Sequence, residues 1–222
     1  MTKNNPHLIS FLEFVHLTCS EHNIKLLLDG KQYFRIGTTR LKTLAFFDAP
    51  GTNKDFGVLG VALHCKSRDW VELLVHEFGH VNQWLENAEV WCSAVETQIR
   101  YQKAISRGRI TSLRNKIRWY RAIQAMELDC ERRAAQMITT WKLPVDLDSY
   151  IQQANFHIWS HTLLIEAISS ASEVNERALG IESRLAKICP TEFLDDYSTV
   201  PEIMRGLIKH KRNITQIQAS PR

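Results

Sequence analysis

Residues 71–84 read Val71-Glu72-Leu73-Leu74-Val75-His76-Glu77-Phe78-Gly79-His80-Val81-Asn82-Gln83-Trp84, which places an H-E-x-x-H motif inside an apolar helical pattern. Helical residues four apart lie nearly above one another, so His76 and His80 can converge on one metal ion. The apolar side chains recur every three or four residues: Val71, Leu74, Val75, Phe78, Val81 and Leu85. The pattern predicts a helix over 69–87 with a zinc site at the edge of its buried face.

Glu77 is the predicted general base. Zinc lowers the pKa of a bound water from about 15.7 toward about 7, and a neighbouring carboxylate can then take its proton. Gly79 costs the helix about 1 kcal/mol relative to alanine, which predicts that another backbone or a bound group comes close there. The alternative is a core helix with two incidental histidines, and the apolar context disfavours it.

A zinc ion held by two histidines needs a third protein ligand, most often from a following helix. Glu127 and Glu131 lie four apart beside the apolar positions of residues 123–141. Carboxylates rarely enter a core unless they are paired or bound to metal. We expect Glu127 to be the ligand, with Glu131 or Asp129 as alternatives, because one helical turn separates the two glutamates.

The segment Glu127-Leu-Asp-Cys130-Glu131, following H-E-x-x-H, resembles the gluzincin metallopeptidases, whose second helix reads approximately E-x-x-A-D. The resemblance implies that Glu127 binds zinc and that Glu131, where the family has Asp, orients a zinc-bound histidine. Cys130 and Glu131 depart from the family pattern. The chain also looks similar to uncharacterised phage proteins that carry H-E-x-x-H.

The resemblance further implies a compact zincin-like core in which an edge strand precedes the histidine helix. Residues 60–65 would be that strand, and a peptide substrate could pair with its edge. The alternative is that this strand is interior or covered, in which case a small substrate is favoured.

The fold class predicted from the patterns is α+β and mostly α, with a small N-terminal antiparallel or mixed sheet. A helix is expected over Pro6–His22, and the expected strands are Ile24–Leu28, Tyr33–Ile36, Leu44–Phe47 and Val58–His64. With 222 residues and 44% hydrophobic content, we expect one domain. Its parts are a helix and sheet over 6–66, the zinc helix over 69–87, a helical region over 88–210 and a tail over 211–222.

Composition narrows the cellular setting. Five widely spaced cysteines without a C-x-x-C pair predict reduced thiols. Cys130 would lie near the metal, but we do not favour it as a ligand. No apolar run approaches the length of a membrane span and no secretory signal is recognisable, so we expect a cytoplasmic protein without membrane contact.

Catalysis of peptide hydrolysis also needs a donor for the developing oxyanion. Tyr150 and His157 are the predicted donors, on a helix following the second zinc motif. His157 and His161 repeat the four-residue spacing without a glutamate between them at the second position. Ordinary polar positions on an amphipathic helix are favoured there over a second metal site.

A basic segment separates the two zinc motifs. Eight Lys or Arg residues occur between Arg100 and Arg121, and no acidic residue occurs from Gln98 to Met126. Nucleic acid could bind such a segment. The net charge is only +4 and the charges are spread round the helix, so a solvated face is favoured.

Three functions are consistent with these patterns. The favoured one is a zinc metallopeptidase acting on a protein or peptide substrate. The second is a DNA-associated or regulatory H-E-x-x-H protease of the ImmA/IrrE kind, which cleaves a specific bound protein. The third is a catalytically inactive zinc-binding interaction protein. The sequence does not fix the oligomeric state.

Overall fold

A computed structural model describes residues 5–31, 34–35, 42–51, 55–64, 69–107, 112–169, 186–202 and 205. The helices are α1 Pro6–Glu21, α2 Trp70–Leu85, α3 Glu89–Ser106, α4 Leu113–Thr140 and α5 Leu147–Ser169. The strands are β1 Ile24–Asp29, β2 Phe34–Arg35, β3 Lys42–Thr43, β4 Ala45–Asp48 and β5 Gly57–Ala62. The predicted α+β, mostly helical class is confirmed. The predicted tail over 211–222 and the ends of the second predicted strand, Tyr33 and Ile36, lie outside the described residues.

The chain divides into two compact units. The first comprises Met1–Cys92 and Asp129–Tyr150, and the second comprises Ser93–Leu128 and Ile151–Arg222. Helices α3, α4 and α5 each contribute residues to both units. The prediction of one domain stays a prediction, and the two units are described separately.

The first unit contains a mixed sheet of three strands in the order β1-β5-β4. Strand β5 pairs in parallel with β1, from Ile24 opposite Gly57 to Asp29 opposite Ala62, and antiparallel with β4. The small mixed sheet is therefore as predicted. The paired strands β1 and β5 come from chain segments about thirty residues apart, because Ile24 lies opposite Gly57. Their pairing therefore depends on long-range contacts.

The prediction that residues 60–65 form an edge strand is wrong. The strand in question, β5, lies between two partners, and residues 63–64 form a turn after it. Leu59, Val61 and Ala62 are fully buried. An almost continuous apolar run is what a strand with covered faces and two neighbours requires. The outer strands of this three-stranded sheet are β1 and β4.

An aromatic cluster packs α1 against α2 and the end of α4 within the first unit. Phe11 and Phe14 of α1 contact Phe78 of α2, with ring centroids 6.0 and 5.7 Å apart. Phe14 also stacks on Trp141, which follows α4, at 5.2 Å. Edge and offset ring contacts of this kind add about 0.5–1.5 kcal/mol each beyond burial. Phe78 lies between the motif residues, so the cluster anchors the centre of α2.

Side-chain caps fix where the first two helices begin. Asn5 accepts hydrogen bonds from the backbone N–H groups of His7 and Leu8, ahead of Pro6 at the first helical position. Asp69 accepts from the N–H of Val71 at 2.8 Å and starts α2. Such a cap contributes about 1 kcal/mol. The start of α2 thus sets the rotation of the histidine helix two turns later.

The second unit has its own apolar core. Ile158 and Trp159 of α5 are buried with three residues of the segment 186–202, which are Cys189, Tyr197 and Val200. The Asn155 amide donates to the carbonyl oxygens of Pro190 and Glu192 at 2.8 and 2.9 Å. Asn155 also accepts from the Tyr197 hydroxyl. These bonds satisfy a fully buried amide and tie the later segment to α5.

None of the described helices combines the length and the apolar character that crossing a bilayer requires.

Candidate metal centre

Helix α2 brings the three motif residues to one side of the first unit. His76 and His80 are buried, with 9% and 7% of their surface exposed, and their ring centroids are 5.0 Å apart. Glu77 is half-buried. The structure confirms the helix that the motif predicts, and Glu77 on this helix is partly exposed.

His76 is oriented by a buried carboxylate from α4. Glu131 is fully buried, and its Oε1 lies 3.1 Å from Nδ1 of His76. The hydroxyl of Tyr150, also fully buried, donates to the other oxygen of Glu131 at 2.5 Å. Tyr150, Glu131 and His76 therefore form a relay in which one carboxylate links a phenol to an imidazole. The predicted role of Glu131 as an orienting residue stays a prediction.

His80 is oriented by a second relay. Its Nδ1 lies 2.8 Å from Oε1 of Gln83, one turn later on α2. The Gln83 amide nitrogen donates to Asp129 at 2.7 Å. Since Gln83 is fully buried, the bond to Asp129 fixes which end of its amide faces His80. The oxygen of the Gln83 amide then accepts a hydrogen bond from the Nδ1–H group of His80.

Arg133 anchors the outer end of this second relay. Its guanidinium contacts Asp129 at 2.6 Å and Glu86, just after α2, at 2.7 Å. Both contacts are charge-assisted hydrogen bonds, and the Arg133 side chain is only 25% exposed. The sequence patterns assigned no role at the metal site to Gln83 or Arg133. The available signal was the i, i+3 spacing of His80 and Gln83 on one helical stripe.

The two relays leave Nε2 of each histidine as the nitrogen that can bind a metal ion. In His80, Nδ1 donates to Gln83, so the lone pair of the neutral ring lies on Nε2. In His76, Nδ1 faces the carboxylate of Glu131, so a metal ion would take the place of the proton on Nε2. Metal-binding histidines in proteins are oriented in this way by acceptors on the opposite ring nitrogen.

The neighbouring charges also affect the protonation of His76. Burial by itself lowers the pKa of His76, but Cys130 and Glu131 outweigh it and raise that pKa well above its usual range. The Cys130 thiol donates to the carbonyl oxygen of His76 at 3.0 Å, and the carboxylate of Glu131 lies 3.1 Å from Nδ1 of His76.

A thiol lies beside the two imidazoles. Ligand atoms of His76, His80 and Cys130 lie within 4.8 Å of one another, and all three residues are buried. This group could hold a metal ion. Among the residues that the structure describes, it is the group of three His, Cys, Asp or Glu side chains whose ligand atoms lie this close together. The other described cysteines, Cys19, Cys92 and Cys189, form no disulfide, and Cys65 lies outside the described residues.

Close packing of α2 on α4 explains Gly79. A Cβ atom at this position would lie 2.8 Å from Sγ and 3.1 Å from the carbonyl oxygen of Cys130. The predicted close approach of another backbone at Gly79 is therefore confirmed. The approach brings Cys130 and Glu131 to the histidine helix.

Gly79→Ala is expected to lower the free energy of unfolding by about 1–2 kcal/mol. The clash with Cys130 costs about 2–3 kcal/mol, the upper part of the range for overpacking because the carbonyl oxygen belongs to the backbone, and the better helix propensity of alanine offsets about 1 kcal/mol of it. Urea denaturation measures the change. Adding Cys130→Ala removes the clash with the sulfur but not the clash with the carbonyl oxygen. Gly79→Ala should therefore lower the free energy of unfolding by less in the Cys130→Ala background than in the wild type, but it should still lower it. A Gly79→Ala protein as stable as the wild type would contradict the close packing.

The remaining predicted site residues lie on α4 and α5. Tyr150 contacts Glu131, as described above, and its role as an oxyanion donor stays a prediction. Glu127 lies one turn before Glu131, in the part of α4 that belongs to the second unit, and His157 lies in the same unit. Their roles as ligand and oxyanion donor also stay predictions.

His161 lies close to His157 in the second unit, with ring centroids 5.1 Å apart. Burial, with the neighbouring His157, lowers the pKa of His161 to about 4, against the opposing effect of Glu127. His161 is therefore neutral near pH 7. Both of its ring nitrogens are buried and meet no hydrogen-bond partner among the described residues.

Three comparisons with known proteins were made. No protein-family model, no curated protein and no solved structure matches this chain.

Proposed function

We propose that this chain is a zinc-dependent metallopeptidase with a zincin-like core. The observation that supports it most is the pair of relays, in which Nδ1 of His76 lies 3.1 Å from Glu131 and Nδ1 of His80 lies 2.8 Å from Gln83. An incidental pair of core histidines needs no such matched orientation. A metal site does, because its ligands must present Nε2 at a defined angle.

The donor chemistry fits zinc. Two imidazoles are nitrogen donors, which zinc and similar transition metals accept. Calcium and magnesium prefer oxygen donors, and the two histidines exclude a site of that kind. In our proposal His76 and His80 bind through Nε2, and Glu127 stays the predicted third ligand.

Cys130 is the less favourable third ligand. Its Sγ lies 4.0 Å from Nδ1 of His76, the same nitrogen that faces Glu131. An ion on Nε2 lies at the far side of the imidazole from Nδ1. The thiol also donates to the carbonyl oxygen of His76, which occupies its proton. Cys130 therefore serves packing in this proposal.

Glu77 is the proposed base. Zinc, when bound, lowers the pKa of a coordinated water toward neutrality and so supplies a nucleophile. Glu77 accepts the proton of the attacking water and delivers it to the leaving nitrogen of the peptide. Glu131 and Gln83 hold the two imidazoles in place during this proton transfer. Tyr150 is fully buried and its hydroxyl already donates to Glu131, so His157 stays the predicted donor to the oxyanion.

The position of α2 beside the sheet suggests how a peptide would bind. Strand β4 is an outer strand of the three-stranded sheet, and α2 packs against it. An extended peptide that added to β4 would run beside the histidine helix. In this proposal β4 takes the place of the predicted edge strand at residues 60–65.

Metal content tests the proposal directly. Protein purified without chelators is expected to contain about one zinc per chain, measured by inductively coupled plasma mass spectrometry. Peptide hydrolysis, followed by mass spectrometry on a proteome-derived peptide library, should stop with 1,10-phenanthroline and return with stoichiometric zinc. Protein that contains no metal and gains none on titration would overturn the proposal.

A further inference from the structure

A groove between α3 and α4 in the second unit has both basic and aromatic walls. It has a volume of about 180 Å³ and is lined by Thr97, Arg100, Tyr101, Ala104, Asn115 and Arg118. The rings of Tyr101 and Trp119 stack at 4.6 Å with their planes 9° apart. This contact holds the two helices together beside the groove.

The groove lies in the most basic part of the chain. No acidic residue occurs from Gln98 to Met126, which includes most of its lining. The guanidinium of Arg100 contacts Glu96, one turn earlier, at 2.5 Å, and the two side chains are 64% and 62% exposed. An exposed ion pair of this kind contributes little to stability. Arg100 can therefore exchange Glu96 for a phosphate at little cost.

We propose that this groove binds single-stranded nucleic acid. Arg100 and Arg118 would contact successive phosphates, and the side-chain amide of Asn115 can donate to phosphate or sugar oxygens. Tyr101 presents an aromatic ring on which one base can stack. The sequence alone favoured a solvated face because the charges are spread round the helix. The structure places two of the arginines on one groove with an aromatic ring between the helices.

A single strand fits these features better than the other anionic partners. In a duplex the bases are stacked on one another, so Tyr101 could not reach a base face. An acidic protein would match the charge but would have no use for the aromatic ring. The proposal depends on neither zinc nor Glu77, so it stands or falls independently of the proposed peptidase activity.

Fluorescence anisotropy of the whole chain tests the groove, with a labelled oligothymidylate of about 16 nucleotides as the probe. If about two phosphates are held, the logarithm of the binding constant should fall by about 1.4 per tenfold increase in salt. Arg118→Gln should weaken binding about 3- to 10-fold and reduce that slope by about 0.7. Tyr101→Ala should weaken it about 10-fold, and Tyr101→Phe should not.

Lys25→Gln is the matched control. It removes the same charge from an exposed position on β1, in the first unit, and should change the affinity less than twofold. Absence of binding at low salt would overturn the proposal. If Arg118→Gln and Lys25→Gln weakened oligonucleotide binding equally, the binding would be a non-specific electrostatic attraction to the whole protein surface. That result would overturn the proposal. Binding of polyglutamate as tight as that of the oligonucleotide, and unchanged by Tyr101→Ala, would overturn it in favour of an acidic protein partner.

Discussion

Glu77→Gln is expected to lower kcat for peptide hydrolysis by about 10²- to 10⁴-fold while the protein keeps its zinc. The amide has almost the same shape as the carboxylate but cannot accept the proton of the attacking water. Both imidazoles keep their partners, because Glu131 and Gln83 bond to His76 and His80 independently of Glu77. The loss should therefore appear in kcat and kcat/KM together, as expected for an interaction made only in the transition state.

Glu72→Gln is the matched control for this prediction. It makes the same substitution five residues earlier on α2, in the first turn of the helix. There a carboxylate stabilises the helix end by about 0.3–1 kcal/mol, so Glu72→Gln should change stability slightly and leave kcat unchanged. Peptide cleavage is measured on the same peptide library, with zinc content as the check on folding. Wild-type turnover by Glu77→Gln would remove Glu77 from the mechanism.

Local sequence patterns were sufficient to predict helix α2 and the motif side chains on it. The apolar spacing of 3.6 residues sets the buried face, and the H-E-x-x-H spacing places two imidazoles on the adjoining stripe. Gly79 could also be interpreted in advance, because a helical glycine is costly unless something must approach closely. The structure identifies that neighbour as Cys130 of α4. Each of these inferences used only residues within one helix.

The order of the strands could not be predicted in the same way. The apolar residues of β5 predict a strand, and that strand is present. Its place in the centre depends on pairing with β1, which is about thirty residues earlier, and with β4. A short apolar run looks the same whether the strand has one neighbour or two. The predicted edge strand was wrong for this reason.

The partners of the histidines were only partly predictable. The spacing of Glu127 and Glu131 predicts two carboxylates on one stripe, but it does not determine which one faces His76. That contact depends on the height at which α4 packs against α2. The bond between Gln83 and Asp129 joins residues 46 positions apart, and the bond between Tyr150 and Glu131 depends on how α5 begins. No local periodicity reports such contacts.

Glu131→Gln is expected to weaken zinc binding about 10- to 100-fold, the usual effect of losing a partner that orients a metal-binding histidine. The carboxylate of Glu131 accepts from Tyr150 and faces Nδ1 of His76 in a fully buried position. An amide there is neutral and has an N–H group in place of one acceptor oxygen. One of the two neighbours then loses its acceptor, so the free energy of unfolding should also fall by about 1–3 kcal/mol. Zinc affinity is measured by competition with a chromogenic chelator.

Two further variants distinguish an orienting residue from a metal ligand at this position. Glu127→Gln makes the same substitution one turn earlier, at the proposed third ligand, and Tyr150→Phe removes only the hydroxyl that donates to Glu131. In cobalt-substituted protein the visible absorption band reports the ligand set. Glu127→Gln should change that band, whereas Glu131→Gln and Tyr150→Phe should leave its shape unchanged. Tyr150→Phe should weaken metal binding less than tenfold, because the contact between Glu131 and His76 persists. A changed band in Glu131→Gln with an unchanged band in Glu127→Gln would instead make Glu131 the ligand, since an orienting group alters the affinity but not the atoms bound to the metal.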